Sequence, residues 1–572
     1  MDLQKLENNF KQNVFNNEDD IKIHFYAEIM KPLLDELNSD NKDVYYSENH
    51  LKAGGIADAT FRNISFEYKK EGYFSKESGK HEALYGKNDR DHGLYDYIIS
   101  HADINHSDNS NDIVRKLLSG IGVGFDGKKF IFARFISSSL KKEINTKKVK
   151  ATIKEPLNLE FVSEEKDFQT GLKRLALLIK QRDKISLSKR TLCEVINPKS
   201  SYVRKSILQI YNNLEKNINP LLDTFNNRVK LLYTEWDRVF GKMYGEDKEA
   251  TDFTEVSSKI REMYGIDELQ EVDSKKYLFS MQTFFNIFLK LLVYSFLSQL
   301  VDPMFTIKHE FTKHEINKLF SGDWSGKETK GNGCRLVDNF FETHFLEWFT
   351  FTVNYEDRED SFDVSIVNES LNIIDDFDLS TFVLRPENVQ DILQEVYMGL
   401  IPSEMRHLMG EYFSPDWIVE HVLEMVGYNG DIDKTLIDPT AGSGSFLTHA
   451  IKKIILNEGG VLSKETIFKI TQNIVGFDIN PISVVAAKAN YILIMFSAYF
   501  DNCNEEFGDP ISIPVFIADS VLAPIIYTEE NDKTFIFETA VGKIEIPKFK
   551  SISKGNKLLK LLSNYVDDLV GD

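Results

Sequence analysis

Beyond residue 396 the chain alternates between helical period and short apolar strands, and one strand ends in a glycine-rich turn. The stretches PDWIVEHVLEMV, TLIDP, SFLTHAIKKIIL, NIVGFDI, PISVVAAKANYILIMF and IPVFIAD follow as helix, strand, helix, strand, helix, strand. Strands joined by helices of this length pair in parallel, so the pattern predicts a doubly wound α/β sheet. In the turn LIDPTAGSGSF, Asp438 stands at the carboxyl end of a strand, followed by Gly442 and Gly444. Glycines there let the backbone turn sharply and approach a ligand where a Cβ would clash. Open α/β sheets bind ligands at this edge. The dinucleotide fingerprint does not apply, because Leu447 stands where the third glycine is required. A phosphate-binding loop is also absent: SGKET at 325–329 lacks the upstream glycine.

With 572 residues the chain is too long for one domain, and 42% apolar content supplies enough core-forming side chains. Residues 1–185 read as a small α/β domain. It opens with an amphipathic helix over 20–37, with Ile23, Tyr26, Ala27, Met30, Leu33, Leu34 and Leu37 close to helical spacing and a kink or break at Pro32. A hairpin turning near Arg62–Asn63 follows, then the helix NDIVRKLLSG and a second hairpin turning at Asp126–Gly127. Residues 186–395 read as a helical connector, in which the acidic run 354–380 is expected to be a solvated link. Residues 396–572 hold the strand–helix alternation. The apolar stretch at 277–301 is long enough to span a membrane, but Gln282, Asn286, Lys290 and Gln299 interrupt it, so a buried helix is expected. The four tryptophans, Trp236, Trp324, Trp348 and Trp417, are expected in or near the core. Three widely spaced cysteines and an N-terminus without a signal-peptide pattern point to a reducing, cytoplasmic setting. A formal charge of −21 disfavours nucleic acid at long range, although a local basic groove remains compatible with it.

Two further carboxylates extend the glycine-turn pattern. Asp478 ends the next strand in IVGFDINP, placed to accept from two ribose hydroxyls, and Asp519 follows the third in VFIADS, placed to accept from an adenine amine. Helix capping accounts for any one such aspartate, but not for three in order with the glycine turn. At this point the chain resembles the adenine-specific, amino-type DNA methyltransferases that use S-adenosylmethionine. GEYFSPDWIVEHV at 410–422 is similar to their methionine-binding segment, DPTAGSGSF to their glycine motif, GFDINP to their ribose acid and ADSVL to their adenine acid. The resemblance implies that Phe413, Ser414 and Pro415 lie near the methionine end of the cofactor, with Asp438, Ala441 and Gly442 around it, then Asp478 and Asp519. One motif departs. The family's Asn/Asp/Ser-Pro-Pro-aromatic signature, which presents the acceptor adenine, has no counterpart, since no Pro-Pro dipeptide occurs in the sequence. The expectation is an N-terminal fragment, or a protein completed by a second polypeptide.

GIADATFRNISFEYKK places Asp58 on one strand and Glu67 and Lys69 on the next, the latter two on one face. An Asp–Glu pair of this kind suits a hard cation such as Mg²⁺, with Lys69 orienting or deprotonating an attacking water and Glu28 on the preceding helix as a further ligand. The pattern resembles the PD-(D/E)xK nuclease core. With a helical connector and a methyltransferase domain behind it, the whole resembles type IIG restriction-modification enzymes. That implies an α/β nuclease domain with catalytic Asp58, Glu67 and Lys69, metal ligands Asp58, Glu67 and Glu28, and part of a Rossmann-like cofactor domain. Double-stranded DNA is the implied partner, with Lys69, Lys70, Lys128 and Lys129 as phosphate contacts. Two other readings remain: a modification subunit with a degenerate first domain, and a non-catalytic protein that binds S-adenosylmethionine to regulate assembly.

Overall fold

The computed structural model of the chain describes residues 3–36; 46–50; 56–142 apart from 62, 88–90, 103, 105–107 and 109; 144; 157–180; 184–218 apart from 188; 227–244; 258–303 apart from 267–271; 305–321; 336–353 apart from 342–344; 361–379; 392–401; 406; 414–502; 510–518; and the backbone of 534–547 apart from 540–541. Two compact units result, Met1–Asp183 and Lys184–Asp572.

The first unit runs α1 (Leu3–Lys11), α2 (Glu18–Phe25), α3 (Lys31–Glu36), β1 (Tyr46–His50), β2 (Ile56–Phe61), β3 (Ile64–Tyr68), α4 (Glu77–Tyr85), α5 (Leu94–His101), α6 (Ser110–Ser119), β4 (Ile121–Phe125), β5 (Lys129–Lys142), β6 (Leu157–Asp167) and α7 (Phe168–Lys180). Its six strands form one sheet in sequence order. Neighbours are antiparallel except β3 and β4, which are parallel across α4, α5 and α6. Such a crossover is obligatory for a parallel pair. Phe66 and Tyr68 meet Phe25 of α2, while Phe10, Phe125, Phe130 and Phe168 continue that aromatic core. The turn at Asp126–Gly127 is pinned by the buried Asp126 carboxylate. It accepts the N–H groups of Phe74 (2.8 Å), Lys128 (3.0 Å) and Lys129 (2.8 Å).

The helix expected over 20–37 differs from the expectation. A π turn at Tyr26–Met30 separates α2 from α3, and the Lys31 N–H bonds to the Tyr26 carbonyl. Pro32 cannot donate to the ladder, and the extra residue of the π turn relieves that break. The insertion also rotates the helix. Ile21, Phe25, Ile29, Met30 and Leu33 face the core, whereas Ile23 is 63% and Tyr26 40% exposed.

The second unit contains β7 (Ile185–Ser186), α8 (Lys189–Val195), α9 (Ser201–Ile218), α10 (Asn227–Tyr244), α11 (Ser274–Val301), α12 (Lys313–Phe320), α13 (Ser365–Asp375), β8 (Phe377–Asp378), α14 (Ile392–Leu400), α15 (Asp416–Met425), β9 (Leu436–Asp438), α16 (Ser445–Asn457), α17 (Lys464–Asn473), β10 (Ile474–Asp478), α18 (Pro481–Tyr499), β11 (Val515–Ile517) and the hairpin β12 (Thr534–Thr539) and β13 (Gly542–Pro547). Strands β9, β10 and β11 form a parallel sheet in the order β11-β10-β9, as the alternation predicted. Helix α11 is long and apolar enough to cross a membrane, yet it lies buried in the unit and packs against α9, α13 and α18. Several of its polar positions find partners. Gln282 accepts from Trp236 Nε1 at 2.7 Å, Thr283 from Trp348 Nε1 at 3.1 Å, and Lys290 forms a fully buried ion pair with Glu347. Trp236 and Trp348 are therefore core residues as expected, Trp324 lies outside the described residues, and Trp417 departs from the expectation at 69% exposed.

The acidic run is only partly a link. Within it, α13 buries Ile366, Val367, Leu371 and Ile374, an amphipathic stripe that local charge density conceals. Lys290→Ala, which leaves the Glu347 carboxylate buried without its cation, is expected to lower this unit's stability by about 3–5 kcal/mol in urea unfolding followed by tryptophan fluorescence. The double replacement Lys290→Met/Glu347→Leu is expected to regain much of that loss.

Candidate functional site

At the carboxyl edge of the parallel sheet, the glycine turn is stitched onto the neighbouring strand. The Ala441 N–H donates to the Phe477 carbonyl at 2.8 Å, and the Gly442 N–H to Asp478 Oδ2 at 2.8 Å. Asp478 Oδ1 accepts the Asn480 N–H at 2.8 Å, so each carboxylate oxygen keeps lone-pair capacity for one more donor. Burial raises the Asp478 pKa against those backbone bonds. Asp438, buried at the end of β9, accepts the Thr440 N–H at 3.1 Å through Oδ1. Its Oδ2 is buried without a hydrogen-bond partner. Burial raises its pKa, the Thr440 N–H opposes, and the Asp478 charge adds to the rise.

Two glycines shape the floor of this site. Gly444, at φ +89°, begins α16, and a Cβ there would stand 3.2 Å from Ala487 Cβ. Gly442, at φ +54°, has no atom within 4 Å of where a Cβ would lie, so it borders open space. Leu447, which excluded the dinucleotide fingerprint, packs from α16 onto β10; a Cβ at Gly476 would come 2.7 Å from its Cδ1. Ala441 is buried in the turn, Ser414 is half-buried and the exposed Pro415 opens α15. Phe413 and Asp519 lie outside the described residues. An orphaned buried acceptor, an open glycine cradle and a second carboxylate beside it fit a ligand with a cationic donor at one end and hydroxyls beyond it.

In the first unit, β2 and β3 bring Asp58, Glu67 and Lys69 together. Asp58 Oδ2 accepts the Tyr68 N–H at 2.7 Å, and Lys69 Nζ donates to Glu67 Oε1 at 2.7 Å. Glu67 is 5% exposed, and burial followed by the Asp58 charge pushes its pKa up to about 8 against the pull of Lys69 and a hydrogen bond from Tyr97. Burial likewise raises Asp58, with Glu18 adding to the rise and Tyr68, Lys69 and Lys22 opposing it. Burial works against the Lys69 ammonium, but Glu67, Glu18 and Asp58 outweigh it and hold the lysine protonated. Two buried carboxylates on adjoining strands, the Asp58 charge raising Glu67, create a demand for positive charge.

Glu28 does not join them: among the described residues no three His, Cys, Asp or Glu side chains are gathered as a metal site. Its place in the π turn explains this, because the inserted residue shifts it off the side of α2 whose charges reach the strands. Those charges are Glu18 and Lys22, spaced i, i+4 on α2. Neither was singled out from the sequence, nor were Tyr97 or Glu82, whose Oε1 lies 3.9 Å from Lys69 Nζ. Three of the expected phosphate-contacting lysines, Lys69, Lys128 and Lys129, carry carboxylate partners. Lys128 pairs with Glu71 at 2.9 Å, and Lys129 shares Glu165 with Lys80.

Residues 388–528 match the family profile described as N-6 DNA Methylase, so the second unit contains an N6 methyltransferase-family domain, and that family implies use of S-adenosylmethionine. No curated protein matches the chain. A solved structure described as "cryoEM structure DrdV-DNA complex" is similar at 11% identity and a TM-score of 0.26. The similarity covers 90% of this chain and 40% of that one, so the chain spans well under half the length of the structure it resembles.

Gly442→Ala separates fold from ligand at this edge. Backbone strain at positive φ is expected to cost about 1–2 kcal/mol of stability, while the methyl group fills the cradle. Calorimetry with S-adenosylmethionine is expected to show at least a tenfold loss of affinity.

Proposed function

We propose that this chain joins Mg²⁺-dependent DNA cleavage in its first unit to S-adenosylmethionine binding for N6-adenine DNA methylation in its second. It would act as part of a restriction-modification protein of the type IIG kind. The observation that carries the reading is the meeting of Asp58, Glu67 and Lys69 on adjoining strands, in a chain whose residues 388–528 match the N-6 DNA Methylase family. A helix precedes the strands, and helices and a parallel strand follow, which is the context such a site requires.

Asp58 and Glu67 would hold the Mg²⁺, with water and a phosphate oxygen completing the shell, since Mg²⁺ commonly keeps several waters and takes only one or two carboxylates. The cation supplies charge stabilisation at the scissile phosphate. Lys69, held protonated against Glu67, orients the attacking water and faces the developing negative charge; it does not serve as the base. Tyr97 fixes Glu67 from α5. Double-stranded DNA is the substrate of both units.

When bound, S-adenosylmethionine supplies the electrophilic methyl group. Asp438 Oδ2 receives its ammonium, Gly442 lets the backbone lie against it, and Asp478 holds the ribose while closing the glycine turn. Asp519, and Phe413 to Pro415, complete the two ends. The group that presents the acceptor amine is supplied from outside this sequence, on further chain or on a second polypeptide, since no Pro-Pro-aromatic signature occurs here.

Cleavage of plasmid DNA by the full chain with Mg²⁺ is expected to fall at least a hundredfold on Asp58→Ala and on Lys69→Ala. Unchanged cleavage in either variant would sink the nuclease assignment. Asp478→Ala is expected to weaken S-adenosylmethionine binding at least tenfold in calorimetry, and an unaltered affinity would remove that residue from the pocket. A second reading, a modification component whose first unit is silent, is favoured by the absence of a third carboxylate or histidine ligand among the described residues. Wild-type chain that leaves DNA intact at every Mg²⁺ concentration, while binding S-adenosylmethionine, would select it.

A further inference from the structure

Beside the carboxyl edge of the same sheet lies a cavity of about 240 Å³, enclosed by the edge strand β11, the first turns of α18 and the buried helix α11. It is far larger than the roughly 30 Å³ share of one water. Its walls are apolar: Pro481, Val484 and Val485 from α18, and Phe516 and Ile517 from β11. Three polar side chains break that lining, and two are already bonded: Lys488 Nζ donates to the Asn339 carbonyl at 2.8 Å, and the Asn339 amide donates to the Ile513 carbonyl and accepts the Ile513 N–H. Asn286 of α11 is fully buried, and its Nδ2 donates to Glu347 Oε1 at 2.7 Å. A carboxylate partner fixes which end of the amide is the nitrogen. Its Oδ1 therefore points away from Glu347, and it is buried with no hydrogen-bond partner. Leaving an acceptor unpaired at such depth costs free energy, and native folds rarely tolerate it without an occupant. The amide cannot turn over to escape, because Glu347 is also held by Lys290.

A mostly apolar slot with one unsatisfied acceptor among a few polar groups is the form of a small-ligand subsite. Its occupant is flat or slim, apolar on its faces, and carries an N–H donor at one edge. The slot begins at Pro481, three residues past the ribose-side carboxylate Asp478. We infer that this cavity receives the purine end of the cofactor and that Asn286 Oδ1 accepts a hydrogen from the adenine amine. The inference rests on the cofactor reading above and deepens it. The amine has two hydrogens, so an acceptor at Asp519 and one at Asn286 are compatible. Asn286 thus acts as a specificity-determining residue contributed by a helix outside the matched segment 388–528.

The test compares S-adenosylhomocysteine with its 6-oxo counterpart, S-inosylhomocysteine, by calorimetry on the full chain. The wild type is expected to prefer the adenine compound about tenfold, the loss of one buried hydrogen bond. In Asn286→Leu that ratio is expected to fall several-fold, to the share that Asp519 alone would keep, with binding of the 6-oxo compound little changed. Val485→Phe narrows the slot from the other wall and leaves Asn286, Glu347 and Lys290 intact; it is expected to weaken the adenine compound at least tenfold, and it decides the matter if Asn286→Leu does not fold. A wild-type ratio retained in Asn286→Leu, or full adenine affinity in Val485→Phe, overturns the inference while the cofactor reading stands. A wild type that binds neither compound overturns the cofactor reading and this inference with it.

Discussion

The second unit is organised around an ion pair with no access to water. Lys290 and Glu347 are both fully buried, and each isolated charge at that depth would cost several kcal/mol. Only their mutual attraction, extended by the Asn286 amide, makes α11 compatible with a core position. Helix α11 in turn sets much else. It packs on α9 and α13 on the connector side and on α18 on the sheet side. Two tryptophans are registered against it through Gln282 and Thr283. A helix whose sequence alone would pass for a membrane span is thereby fixed as the axis of a folded unit.

That axis reaches the functional edge through α18. The helix begins where β10 ends, at the Asn480 cap whose side chain accepts the Ile482 N–H. Lys488, two turns on, is buried and donates to the Asn339 carbonyl at 2.8 Å, tying the connector to the sheet. The same helix positions Asn490, whose amide donates to the Ser443 carbonyl at 3.0 Å within the glycine turn. The turn is therefore held from two sides, by β10 through Asp478 and by α18 through Asn490. A backbone held this way keeps Gly442 open without a ligand to prop it, and a preorganised site loses less on binding.

Much of this was legible in the sequence, and the failures have physical causes. The strand–helix alternation and glycine turn were readable because periodicity and positive-φ glycine are local signals. The hairpin of Asp58, Glu67 and Lys69 was readable because a strand repeats every two residues. Glu28 misled because a π turn has no sequence signature except the proline that follows it, and one inserted residue moves every side chain beyond it by about 100°. Helix α13 was missed because four buried apolar positions sit among acidic neighbours that dominate composition. Helix α17 (Lys464–Asn473) was not singled out either, though Ser463 caps it by accepting the Thr466 N–H. Asn286 could not be found, since its importance lies in what surrounds it. The sequence shows only a polar residue in an apolar helix.

The charge distribution of the first unit differs between its surface and its strand pair. Lys80 and Lys129 converge on Glu165, and Lys128 lies on Glu71, so these three cations each lie against a carboxylate. A phosphate approaching these lysines competes with glutamates for the same ammonium groups, which makes surface contacts weak contributors. The strand pair differs. Asp58 and Glu67 face one another in a buried setting where Lys69 alone cannot neutralise both, and burial keeps the imbalance strong. An added positive charge there would relieve that imbalance, whereas the surface lysines already lie against carboxylates.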